Sequence, residues 1–154
     1  MRLTVVAVGK LKERWWREAA EEYLKRMRPY ADVRVVDVPD ADLSRDEARG
    51  VRAEGDAVLR ALPPASSVVA LDIGGRALSS EGLAAWLEER MGTGRPEVAF
   101  VLGGAAGLAP EVLARAEERL SLSPMTLPHQ MARVVLLEQL YRAFRIVRGE
   151  PYHR

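Results

Sequence analysis

Apolar residues along this chain fall into two alternating patterns. Short apolar runs rich in β-branched residues occupy positions 3–8, 33–38, 68–73 and 98–102, interrupted at Thr4, Arg34, Asp37 and Asp72. Runs of that length and composition predict strands covered on both faces. Between them, apolar positions return every three to four residues. Trp15/Trp16, Ala19/Ala20, Tyr23/Leu24 and Met27 form one such stripe; Ala48, Val51, Val58, Leu59 and Leu62 a second; Leu83, Trp86, Leu87 and Met91 a third. That spacing predicts amphipathic helices. Gly9, Pro29 and Pro63-Pro64 punctuate the segments, and Gly74-Gly75 is expected to turn the chain after the third strand. Ser44 through Glu47 has the form of a capping box, and Ser79 or Ser80 is placed to cap the next helix. Strand alternating with helix implies right-handed crossovers and an α/β fold, a mostly parallel sheet with helices on both faces, in one domain spanning 1–154.

The second half is richer in signals. The run at 98–102 leads into Gly103-Gly104-Ala105-Ala106-Gly107, then a short helix, a turn-rich segment at 121–128 and a long helix from His129 to about Val147. Two loops leaving neighbouring strands would frame a ligand crevice at the carboxyl edge of the sheet. In the last helix Val134-Val135-Leu136-Leu137 is followed by Leu140, Tyr141, Ala143, Phe144, Ile146 and Val147, more apolar surface than one stripe requires. A second subunit is the expected cover, with a homodimer the simplest assembly. Arg133, Arg142, Arg145 and Arg148 are left for the remaining face.

Composition narrows the classes. The 154 residues are 48% hydrophobic and 29% charged, with no cysteine and only two histidines, His129 and His153. A disulfide framework is excluded, and a protein-only metal site is not expected. No apolar run approaches the roughly 20 residues of a membrane span, and the first residues lack the pattern of a secretory leader. A cytoplasmic protein without a membrane partner is expected. The net charge of +1 hides segregation: residues 10–28 hold seven Lys/Arg against four Glu, residues 129–154 five Arg against two Glu, and residues 31–128 ten Arg against sixteen acids. Basic ends around an acidic middle suit a polyanion partner as well as they suit solvated helix faces.

The GGAAG loop is neither the dinucleotide fingerprint nor a P-loop. Its glycines would let backbone approach a ligand closely, or simply make a turn. The segment Leu120-Ser121-Leu122-Ser123-Pro124-Met125-Thr126-Leu127-Pro128-His129 mixes apolar side chains with small hydroxyls and two prolines, suiting an adenine ring and a thioether. Asp72 stands at the end of the third strand, to touch a ligand or to tie down the bend. Trp15 and Trp16, beside Lys12, Arg14 and Arg17, have the composition of a base-stacking surface, or of a core anchor with one ring half out.

LGGAAGL, LSLSPMTLPHQMARVVLLEQLYRAFRI and the terminal PYHR resemble the SPOUT class of methyltransferases. Within it they are similar to the small bacterial enzymes that methylate N3 of a pseudouridine in the 23S RNA of the large ribosomal subunit. RLTVVAVGK and VVALDIGG extend the likeness over the whole chain; GGAAG departs from it, since a larger polar or acidic residue usually stands in that loop. The resemblance implies a C-terminal trefoil knot, S-adenosylmethionine bound there in a bent form, and a homodimer with its active site between subunits. It implies a cofactor pocket of Leu71, Asp72, Gly103, Gly104 and residues 122–128, with His129, Arg133, Tyr152, His153 and Arg154 on the substrate side. His153 or His129 would take the N3 proton, and Arg133 and Arg154 would steady the anion or hold phosphate. A domain this small points to the assembled ribosome as the recognition surface. Two other readings remain at this point: a non-catalytic ribosome-binding module, and a nucleotide-binding enzyme of small metabolites. Without the resemblance, residues 152–154 would be read as a frayed tail.

Overall fold

In the computed structural model, which describes residues 1–94 and 97–153, five strands form one sheet in the order β2-β1-β4-β3-β5 with every pair parallel. The elements follow in the order β1 (Arg2–Val8), α1 (Arg14–Met27), β2 (Asp32–Val38), α2 (Glu47–Ala61), β3 (Ser67–Ala77) and α3 (Ser80–Gly92). Then come β4 (Glu97–Leu102), α4 (Pro110–Arg115), β5 (Glu118–Ser121) and α5 (His129–Val147). Strand periodicity divides the core into two layers. Leu3, Val5 and Ala7 of β1 and Val98, Phe100 and Leu102 of β4 point to the side carrying α1, α3 and α5. Val6, Val8, Ala99 and Val101 point to the side carrying α2 and α4. Both faces being covered explains why these strands read as nearly continuous apolar runs. No helix among the described residues is long and apolar enough to cross a membrane.

Several expectations need correction. Gly74-Gly75 is no turn: β3 continues through it to Ala77, and its register against β5 shifts between Leu71 and Arg76. A Cβ on Gly75 would lie 2.7 Å from the Arg119 carbonyl carbon, so glycine lets the two backbones press together there. β5 itself was not expected, because Glu118-Arg119-Leu120-Ser121 is an edge strand of mixed polarity. The loops after β4 and β5 therefore leave strands on either side of β3, not adjacent ones. The α2 cap is Asp46, whose carboxylate accepts the Arg49 N–H at 3.0 Å; Ser44 gives its own N–H to Asp42.

Most of the apolar surface of α5 is covered from within the chain. The helix packs between α1 and α3 and over the sheet, leaving Leu136, Leu137 and Leu140 with no exposure. Met131 is exposed and Val134 and Val135 are half-buried. Arg133 does not decorate an outer face. It is 4% exposed, pairs with Asp37 of β2 at 2.7 Å, and gives a second N–H to the Gly9 carbonyl at 2.8 Å. The two tryptophans divide: Trp16 packs against the core, while Trp15 is 65% exposed.

Candidate functional site

The carboxyl edge of the sheet holds a crevice. Leu71, Asp72 and Ile73 come from β3, and Leu102, Gly103, Gly104 and Gly107 from the end of β4 and its loop. Leu120–Ser123 and 125–127 come from β5 and the segment after it, and His129 and Ala132 from the start of α5. Parallel strands put their carboxyl ends, and hence these loops, on one side of the molecule.

Of the residues that the sequence nominates for a cofactor, Leu71, Asp72, Gly103, Gly104, Leu122, Ser123, Met125, Thr126 and Leu127 line this crevice. Pro124 and Pro128 do not; Pro128 is the residue before the first turn of α5. His129 lines it too. Leu120 and Ser121, at the head of the segment that suits the cofactor, line it as well, and Ile73, Leu102 and Ala132 were missed. Ile73 had a readable signal, the last apolar residue of the run at 68–73 before Gly74, and it is 59% exposed.

The glycine loop is a tight turn. Gly107 gives its N–H to the Gly104 carbonyl at 3.1 Å and has φ +81°, a region that side chains disfavour. A Cβ on Gly103 would lie 2.5 Å from the Gly107 carbonyl carbon. One on Gly104 would meet Val8 Cγ1 at 3.1 Å and the buried Glu54 carboxylate at 3.5 Å. These glycines thus satisfy the turn and its inward packing, rather than clearing space on the crevice side. The second loop is braced by its own hydroxyls: Ser121 Oγ donates to the Ser123 carbonyl, and Ser123 Oγ accepts the Met125 N–H at 2.9 Å. Met125 is left 78% exposed at the crevice. Asp72 faces Arg119 at 4.0 Å.

The C-terminal segment is docked, not frayed. Tyr152 stacks edge-on against Tyr141 at 4.8 Å between centroids, under the Arg142 guanidinium at 4.7 Å. Its hydroxyl donates to Glu138 Oε1 at 3.2 Å. Burial first, and then the nearby Glu138 charge, push that hydroxyl up to about 12. His153 reaches Glu81 of α3 through Nε2 at 2.7 Å and Arg142 through Nδ1 at 3.2 Å. Its hydrogen bond holds the Glu81 carboxyl below the usual range. Arg145 ties the approach to the tail by donating to the Pro151 carbonyl and pairing with Glu150. Arg154 lies outside the described residues.

Within one chain, the tail and the crevice stand apart. His129 lines the crevice, whereas His153 rests on Arg142, thirteen positions along the same helix. At 1.5 Å per residue that is roughly 20 Å. Arg133, between them, is engaged with Asp37 and Gly9 on the far side of the helix from the tail. Among the described residues no cluster of His, Asp or Glu could hold a metal ion.

Comparison with known proteins bears on this geometry. A family model described as "Predicted SPOUT methyltransferase" matches residues 1–153. The chain is 48% identical over 159 aligned positions to "Ribosomal RNA large subunit methyltransferase H" of Carboxydothermus hydrogenoformans, with both chains fully covered. Among solved structures, a "Probable Methyltransferase from Bordetella pertussis Tohama I" is similar with a TM-score of 0.59 at 20% identity, covering 93% of this chain and 96% of that one. A "probable methylase family protein from Haemophilus influenzae Rd KW20" gives 0.56 at 14% identity over 99% and 70%. At those identities the structural likenesses speak for the fold alone.

Proposed function

The chain belongs to the SPOUT methyltransferase family, and from that premise we propose that it moves a methyl group from S-adenosylmethionine to N3 of a pseudouridine in 23S ribosomal RNA, on the assembled ribosome. The observation that carries this reading is the full-length match, crevice and tail included, to a relative named for methylating large-subunit ribosomal RNA. The trefoil knot that the family resemblance implies belongs to the same reading.

The crevice fits the donor. Leu71, Leu102, Leu122 and Leu127 offer an apolar wall for an adenine and a thioether, and the braced 121–127 loop offers fixed backbone polar groups beside it. When bound, S-adenosylmethionine supplies an electrophilic methyl on a sulfonium. The protein's task is then alignment of N3 with that methyl and exclusion of water. His129 is the imidazole at hand within the same chain. Tyr152 and His153 serve through a partner subunit: if two α5 helices pair antiparallel across Met131, Val134 and Val135, residue 142 of one comes opposite about position 125 of the other, in the crevice loop just before that helix, spanning the roughly 20 Å gap. Arg133 acts from behind, fixing β1, β2 and α5 relative to one another.

Single-turnover transfer of labelled methyl to ribosomes, subunits and free ribosomal RNA, with the modified nucleotide mapped, is the test. One methyl on N3 of a pseudouridine is expected, best on ribosomes. Cofactor binding without transfer would favour a non-catalytic RNA-binding module of the same fold.

A further inference from the structure

Among the exposed large apolar side chains, Trp15 stands apart by its surroundings. It sits in the first turn of α1, 65% exposed, whereas Trp16 beside it packs inward and Trp86 is nearly buried. Around it in the chain Lys12, Arg14 and Glu18 are exposed and charged, Leu11 is buried and Ala19 half-buried. A flat apolar ring framed by charge is poorly suited to a dry protein interface, whose centre sheds charged groups. It suits a nucleobase, which brings a π-face for the indole and a phosphate for each nearby cation.

The position supports that use. β1 and β4 pair through Ala7 and Leu102, so the chain leaving β1 starts beside the glycine loop, which Val8 touches at Gly104. Lys10 and Lys12 follow within four residues of Val8, both exposed. Arg17 gives an N–H to the Lys12 carbonyl at 2.6 Å, which pins the segment. Arg14 pairs with Glu18 at 2.6 Å, but both are largely in water, and such a pair is weak enough to yield to a phosphate. Glu13 and Glu18 are the acids that oppose the patch.

We infer that Trp15, with Lys10, Lys12 and Arg14, is a stacking platform that holds an unpaired base of the substrate RNA at the edge of the crevice. This rests on the reading of the protein as an RNA methyltransferase. Stacking on aromatic rings is sequence-tolerant, so the platform contributes hold and orientation, leaving choice of base to the crevice.

The test compares the full-length protein with Trp15→Ala, Trp15→Phe and Lys10→Glu/Lys12→Glu. Each is assayed with purified ribosomes and a single-stranded RNA oligonucleotide across salt, with S-adenosylmethionine in calorimetry, and by sedimentation. Trp15→Ala should weaken RNA binding roughly 5- to 150-fold, with cofactor affinity and oligomeric state unchanged. Trp15→Phe should recover most of the loss. Removing the two lysines should lower the slope of log affinity against log salt by about 2. Unchanged RNA affinity in Trp15→Ala, while the parent protein binds and methylates RNA, would overturn the platform and leave the enzyme reading intact. A change of oligomeric state in Trp15→Ala would also overturn it, by assigning the ring to contact between copies. A parent protein that neither binds nor methylates RNA would overturn the enzyme reading itself.

Discussion

Arg142 donates to Nδ1 of His153, 3.2 Å away. A guanidinium has no acceptor, so this contact fixes the imidazole tautomer: Nδ1 carries the lone pair and Nε2 the proton, which it gives to Glu81 at 2.7 Å. Both ring nitrogens are therefore engaged in the docked tail.

To accept a proton from RNA, His153 must leave at least Arg142. Deleting residues 152–154, or replacing His153 by Ala, is expected to slow the chemical step about 10²–10⁴-fold with cofactor affinity unchanged. Glu81→Ala should cost less than about tenfold, since that contact belongs to the resting tail. Single-turnover rates settle it; equal losses in Glu81→Ala and His153→Ala would mean that the imidazole works in place, oriented by Glu81.

Tyr152 gives a pH signature. Its hydroxyl is raised to about 12 from an ordinary value of 10. A raised acid keeps its proton longer in the folded chain, so its contribution to stability is whole below pH 10 and is lost as pH climbs towards 12. The stability difference between the parent and Tyr152→Phe should hold up to about pH 10 and shift above it. Denaturant melts at stepped alkaline pH, with tyrosinate absorbance followed alongside, provide the measurement. A phenol titrating near 10 would show that the ring is not held as described.

Arg133 is a tie between β1, β2 and α5. Arg133→Met should remove about 2–3 kcal/mol of stability, less than the roughly 3–5 kcal/mol of a fully buried pair, because Asp37 keeps some water. Pairing it with Asp37→Asn in a double-mutant cycle should return strong coupling. If Arg133→Met abolished methyl transfer at full stability and full cofactor affinity, the residue would be acting on substrate.

For the glycine loop, the order of effects is informative. Gly103→Ala forces a Cβ against the Gly107 backbone and should weaken S-adenosylmethionine binding more than tenfold. Gly104→Ala presses on Val8, a side chain that can give, and should cost less. Calorimetric titration of both variants, with thermal melts, checks the ranking; the reverse order would place the Gly104 side of the loop against the ligand.

Much of this was legible in the sequence because burial on both sheet faces leaves an unmistakable apolar run, as at 98–102. The crevice was legible in outline for the same reason: its loops follow such runs. β5 was not, since an edge strand needs little apolar character and Glu118 and Arg119 look like loop. Gly74-Gly75 misled because glycine marks a turn and a close backbone approach equally well, and only the neighbouring strand tells them apart. Arg133 was invisible as a buried residue, its partners lying 96 and 124 positions away.

The sheet order also governs how the chain reaches its final form. Leu3 of β1 pairs with Val98 of β4, and α5, which packs in the same layer as α1 and α3, is made later still. When β2 has emerged from the ribosome, β1 still has one edge open and one face bare. Closing so long a loop is entropically costly and slows folding relative to chains built from local contacts. The nascent protein must therefore keep one edge of an apolar strand unpaired until residues 97–102 are made, a window in which chaperone engagement and aggregation compete.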